Sequence, residues 1–121
     1  MMLVSAILTV LVAVLHFYFL VLEMFLWTRP AGMRAFGQTP ERARETAVLA
    51  ANQGLYNGFL AAGLVWSLVY PDARAALDIR LFFLGCVVAA GLYGAWSVSR
   101  KVLIIQALPA AFAAMATLLA R

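Results

Sequence analysis

This chain carries a few side chains able to do chemistry, and they lie inside long apolar stretches. His16 and Glu23 stand seven residues apart in the first stretch, and Asn52, Gln53, Tyr56 and Asn57 fall within six residues in the second. A histidine and a carboxylate can accept and return protons, and amides with a phenol can orient a polar head by directional hydrogen bonds. In an apolar medium such groups are costly, so an intramembrane ionisable residue reads first as functional. The amides also have a plainer reading, as bonds between helices worth about 0.6–2 kcal/mol each. Three amides beside a phenol, opposite a His/Glu stripe, favour a small hydrated or ligand-filled cavity.

Other chemistries have weaker support. One histidine without a cysteine cluster argues for neither a metal site nor haem ligation. No nucleophile motif accompanies His16, although Glu23 or Tyr56 could orient it. Glu23 can instead pair with Arg42 or Arg44 at the membrane surface. The lone Cys86 sits in an apolar run and reads as a packed residue.

The elements that position these residues are predicted to be four helices over about 3–27, 40–70, 79–98 and 102–120. At 1.5 Å per residue the first exceeds a hydrocarbon core of roughly 30 Å. It lacks the basic start and small-residue cleavage site of a signal peptide and reads as a retained transmembrane helix. Residues 29–38 connect it to the second helix, either as a short segment lying in the headgroups or as a plain loop. Thr39-Pro40-Glu41 supplies a cap, a first helical residue and an acid for the first turn. Ser99-Arg100-Lys101 forces the last two helices into an antiparallel hairpin, and Pro109 predicts a kink in the fourth.

Composition agrees with this arrangement. Hydrophobic residues make up 66% and charged residues 12% of the 121, too apolar for a soluble fold. The formal charge of +4 is no nucleic-acid signal, because the basic residues cluster at segment ends, where membrane lipid headgroups are the partners. Arg29, Arg34, Arg42, Arg44, Arg100 and Lys101 outnumber Arg74, Arg80 and Arg121. That bias places the first and third connections in the cytoplasm and both termini outside. Trp27, Trp66 and Trp96 read as interface anchors.

Helical periodicity sorts the faces. Ser5, Thr9, His16 and Glu23 fall within about 40° of one another. Glu45, Asn52, Tyr56, Gly63 and Ser67 share a second stripe of about 60°, flanked by Gln53 and Asn57. Asn52 and Tyr56 are therefore expected to turn toward the His16/Glu23 stripe. Ala50, Gly54, Gly58 and Ala62 form a close-packing ridge on the opposite face, which serves either within the chain or between copies of it, so a homo-oligomer stays open. Gln106 and Thr117 align on the fourth helix. The expected fold class is all-α, one integral membrane four-helix transmembrane bundle over residues 1–121 with a polar interior.

Several strings also carry a resemblance: His16 to Trp27, Phe36-Gly37-Gln38-Thr39-Pro40-Glu41, Asn52-Gln53-Gly54-Leu55-Tyr56-Asn57-Gly58, Gly85-Cys86 and Gly91-Leu92-Tyr93-Gly94. With these the chain resembles the bacterial family known as domain of unknown function 1304. The resemblance covers nearly the whole chain and implies a small four-helix protein of the bacterial inner membrane, with no activity to carry across. Glu41-Arg42-Ala43-Arg44 is also similar to the acid-arginine run of membrane proteins of eicosanoid and glutathione metabolism. Here Asn52 falls about one turn later than in that motif, so the likeness is one of fold.

The expected function is binding of a small amphipathic or lipid-soluble ligand in an intramembrane polar cavity. His16, Glu23, Glu45, Asn52, Gln53, Tyr56, Asn57 and Gln106 are the candidate ligand-binding residues. The alternatives are a membrane enzyme that acts on a lipophilic substrate with a thiol cosubstrate such as glutathione, and an oligomeric transporter or channel subunit. The sequence names no cofactor.

Overall fold

The computed structural model describes residues 1–121, and the chain in it is all-helical, without strands. The helices are α1 (Met2–Met24), α2 (Pro30–Phe36), α3 (Pro40–Val69), α4 (Ala73–Ser97) and α5 (Leu108–Ala120), with a π-helical turn at Leu103–Ala107 leading into α5. Three stretches are long and apolar enough to cross a membrane: α1, α4, and Leu103–Ala120. The longest helix, α3, is not one of them, because charges and amides interrupt its apolar residues.

Local chemistry sets the boundaries. The connection at 29–38 contains a helix, α2, which begins at Pro30 and ends on Gly37 in the left-handed region at φ 63°. A glycine takes that conformation without a Cβ clash. Thr39 Oγ1 accepts from the Arg42 N–H at 3.2 Å and caps α3. Asp72 Oδ2 does the same for Ala75 at 2.7 Å, so α4 starts six residues before the expected Ile79, takes in Arg74 and Asp78, and sets Arg80 two turns inside the helix. The disturbance from Pro109 appears upstream of it. A proline ring crowds the carbonyl four residues earlier, here that of Ile105, in the middle of the π-helical turn, where the Leu108 N–H bonds back to Leu103.

The chain divides into two compact units. One comprises Met1–Ala13 and Leu60–Arg121. Its core is Val12, Ala13, Leu64, Leu84, Val87, Ala110 and Ala113, edged by Leu8, Leu60, Phe83, Val88 and Ala114. The many alanines let helices approach closely. A Cβ on Gly91 would fall 2.7 Å from the Ala107 backbone nitrogen. The other unit is Val14–Phe59. There the Trp27 Nε1–H donates to Thr46 Oγ1 at 3.0 Å, and its ring lies 4.8 Å from Phe36, joining α2 and α3 to the residues after α1. Gly32 lies so close to the Leu26 carbonyl that any side chain there would collide with it.

Candidate functional site

The α1 stripe forms as its spacing predicts: Ser5, Thr9, His16 and Glu23 are all buried. Glu23 lies one residue before the end of α1, opposite the middle of α3. Gln53 and Asn57 are four apart on α3, so their amides project one turn from each other. Asn57 Nδ2 donates to Glu23 Oε1 and Gln53 Nε2 donates to Glu23 Oε2, each at 2.5 Å. Gly54 makes this approach feasible. A Cβ there would fall 2.8 Å from Met24 Cγ and 3.0 Å from Glu23 Cβ. Gly58 gives Leu20 the same room.

This geometry corrects one expectation. The glycine ridge and the amides do not occupy opposite faces of α3. Ala43, Ala50, Gly54, Asn57, Ala61 and Leu64 form one buried stripe, spaced by seven and then alternately by four and three. Asn52, Tyr56 and Glu45 are exposed, so Asn52 and Tyr56 do not face the His16/Glu23 stripe. Tyr56, 62% exposed, lies edge-on to Phe59. Its stripe turns inward only further along, at Gly63 and Ser67.

Glu23 also does not pair with Arg42 or Arg44. The ion pairs of the chain are Arg44 with Glu41 at 4.0 Å and Arg121 with Asp78 at 2.7 Å, all exposed. His16 is fully buried one heptad before Glu23, its ring edge-on to Phe19 with centroids 5.6 Å apart. Gln106 is half-buried in the π-helical turn. The structure thus brings together Glu23, Gln53 and Asn57 from the eight candidates, with His16 on the same face of α1. An open surface depression lies elsewhere, lined by Pro30, Met33, Arg34, Gly37, Gln38 and Pro40.

A second polar cluster escapes the sequence reading, which treats Arg80 as an end-of-helix charge. Arg80 is 6% exposed. Its Nη1 donates to Ser5 Oγ at 2.9 Å, and its Nε and Nη2 reach Ser67 Oγ and the Ser67 carbonyl at 3.4 Å. Ser5 Oγ also meets Thr117 Oγ1 at 2.6 Å. Two signals pointed to it: the capping Asp72, which draws Arg80 two turns into α4, and a hydroxyl on each of α1, α3 and α5 at a core-facing position.

Comparison with known proteins places this chain among relatives. The profile of the family described as "Protein of unknown function (DUF1304)" matches residues 10–118. The chain is 31% identical over 108 residues to the uncharacterized protein YpaA of Lactococcus lactis subsp. lactis (strain IL1403), an alignment that covers 88% of this chain and 89% of that one. No solved structure matches.

Proposed function

The chain belongs to the DUF1304 family of proteins of unknown function, and from that premise we propose that it is an integral membrane protein that binds a small amphipathic molecule by its polar head at Glu23, Gln53 and Asn57. In this reading α1, α3, α4 and α5 form one four-helix transmembrane domain of the bacterial inner membrane, with both termini outside. Three stretches apolar enough to cross a bilayer support it, as do the many large apolar side chains left uncovered along them. Lipid tails are the solvent such surfaces suit.

One observation carries the binding reading. Glu23 is 2% exposed, its carboxylate receives two amide donors, and no basic side chain lies within ion-pair distance of it. An ionised carboxylate offers about four acceptor sites, so about two remain for donors that the chain does not supply. A ligand head bearing an ammonium or hydroxyl group suits them. His16 extends the polar stripe by two turns, and the apolar helix surfaces suit a hydrocarbon tail.

Native mass spectrometry of gently solubilised protein tests this. The wild type should carry a non-protein mass of a few hundred daltons. Glu23→Gln removes a charge-assisted bond worth about 1.5–3 kcal/mol and should lower occupancy about tenfold or more. Asn52→Ala, on the exposed face, should leave it unchanged. Bare wild-type protein, or equal occupancy in Glu23→Gln, sinks the reading.

A further inference from the structure

The side chain least explained by the site above is Arg80. A buried guanidinium needs a counter-charge, because an unpaired charge in a low-dielectric surrounding is among the costliest arrangements a protein can hold. The acids nearest in sequence are committed elsewhere. Asp72 caps the α4 N-terminus through the Ala75 N–H at 2.7 Å, and Asp78 pairs with Arg121 at 2.7 Å. What surrounds Arg80 is neutral: two serine hydroxyls and a carbonyl.

Those hydroxyls are oriented for a cation. Ser67 Oγ donates its proton to the Leu64 carbonyl at 2.6 Å, and Thr117 donates its proton to Ala113 at 2.7 Å. With the Thr117 proton used, Ser5 is the donor in the 2.6 Å bond between them. Thr9 donates to the Ser5 carbonyl at 2.7 Å and holds that turn of α1. Each serine therefore presents only lone pairs to the guanidinium. They hold and aim the charge without neutralising it. A guanidinium has five N–H donors. The three bonds leave one N–H on each terminal nitrogen without a protein acceptor. Two such donors match two oxygens of one oxyanion.

We propose that Arg80, cradled by Ser5 and Ser67, is a binding site for a phosphate-type oxyanion, either the headgroup phosphate of a membrane lipid or a free phosphate. Its ligand is an anion, unlike the ammonium or hydroxyl head that suits Glu23. Arg80 stands two turns into α4, near one end of a helix long and apolar enough to cross a membrane, and in that reading it is within reach of lipid headgroups.

Purified protein in maltoside micelles, which contain no phosphate, provides the test. One arm adds phosphatidylglycerol against diacylglycerol of the same chains; the other adds inorganic phosphate against chloride at equal ionic strength. Native mass spectrometry and the unfolding midpoint are read in both. The expected result is retained phosphatidylglycerol, or a midpoint raised by inorganic phosphate, with the responding arm identifying the source. Arg80→Lys keeps the charge but loses the planar fork and should weaken the response about tenfold. Arg74→Gln, on the exposed surface at the same end of α4, should leave it intact. If wild-type protein responds in neither arm, the proposal is overturned without reference to any variant. An undiminished response in folded Arg80→Lys overturns it equally. Arg80→Gln should abolish the response where it folds, and where it does not fold, the wild-type and Arg80→Lys results decide.

Discussion

Glu23 and Arg80 pose the same problem with opposite sign. Each is an ionisable group inside an apolar helix, and each is met only by neutral partners. For Glu23 the partners are amides, whose N–H donors suit a carboxylate; for Arg80 they are oxygens, which suit a guanidinium. This matching makes a structural contribution measurable whatever else the residues bind. Asn57→Ala removes the Glu23 Oε1 donor and leaves that buried oxygen short of a partner, at a cost of about 1–3 kcal/mol. Denaturant unfolding in detergent should show that loss for Asn57→Ala and a loss well below it for Asn52→Ala. Equal losses would mean that the Asn57 bond contributes nothing specific. Seven-residue spacing on α1 made Glu23 stand out in the sequence, and four-residue spacing did the same for Gln53 and Asn57. Which amide meets the carboxylate was not legible, because Asn52 and Asn57 are alike in type and differ only in the face they occupy.

At the scale of the elements, close approach between helices depends on where a Cβ is missing. Gly91 and Gly85 share α4 but differ in surroundings. A methyl on Gly91 meets the Ala107 backbone at 2.7 Å, whereas one on Gly85 meets nothing within 4 Å. Backbone cannot rotate aside as a side chain can, so Gly91→Ala should destabilise by about 1–3 kcal/mol through overpacking. Gly85→Ala should be neutral or stabilising by about 0.5–1 kcal/mol, the ordinary gain of replacing glycine inside a helix. Thermal midpoints followed by helical circular dichroism compare the two, and a reversed order would contradict the packing of α4 against the turn at Ala107. The long helices and the hairpin were readable from apolar runs and a three-residue link, but the short helix α2, Pro30–Phe36, was not, because seven residues are too few to show a periodicity. The early start of α4 depended on one cap bond, from the Ala75 N–H to Asp72, which lies outside the apolar run.

At the scale of the whole molecule, apolar side chains such as Leu3, Val48 and Trp96, the last 83% exposed, remain uncovered. Water is a poor solvent for such a surface, and lipid a good one. In the proposed orientation, with Arg80 buried in its hydroxyl cradle, Arg74 and Arg121 are the exposed basic residues outside, against Arg29, Arg34, Arg42, Arg44, Arg100 and Lys101 in the cytoplasm, a wider bias than the full count gives. Carbonate washing of membranes should leave the protein in the pellet. In a Cys86→Ser background, Pro71→Cys should react with an impermeant maleimide on intact cells, and Ala35→Cys only after permeabilisation. The opposite pattern would invert the orientation, and extraction by carbonate would remove the protein from the bilayer.

Composition and periodicity by themselves determined that this chain is helical, apolar and marked by a buried polar stripe on α1, because helix formation and hydrophobic patterning are local properties. The family resemblance was legible in the same way, from strings of adjacent residues. Partner choice was decided only in the tertiary structure. Glu23 took amides rather than arginines, and Arg80 took hydroxyls from α1 and α3 rather than an acid. Both outcomes depend on which helix faces come together and how closely glycine lets them approach, and neither property belongs to any single segment of the chain.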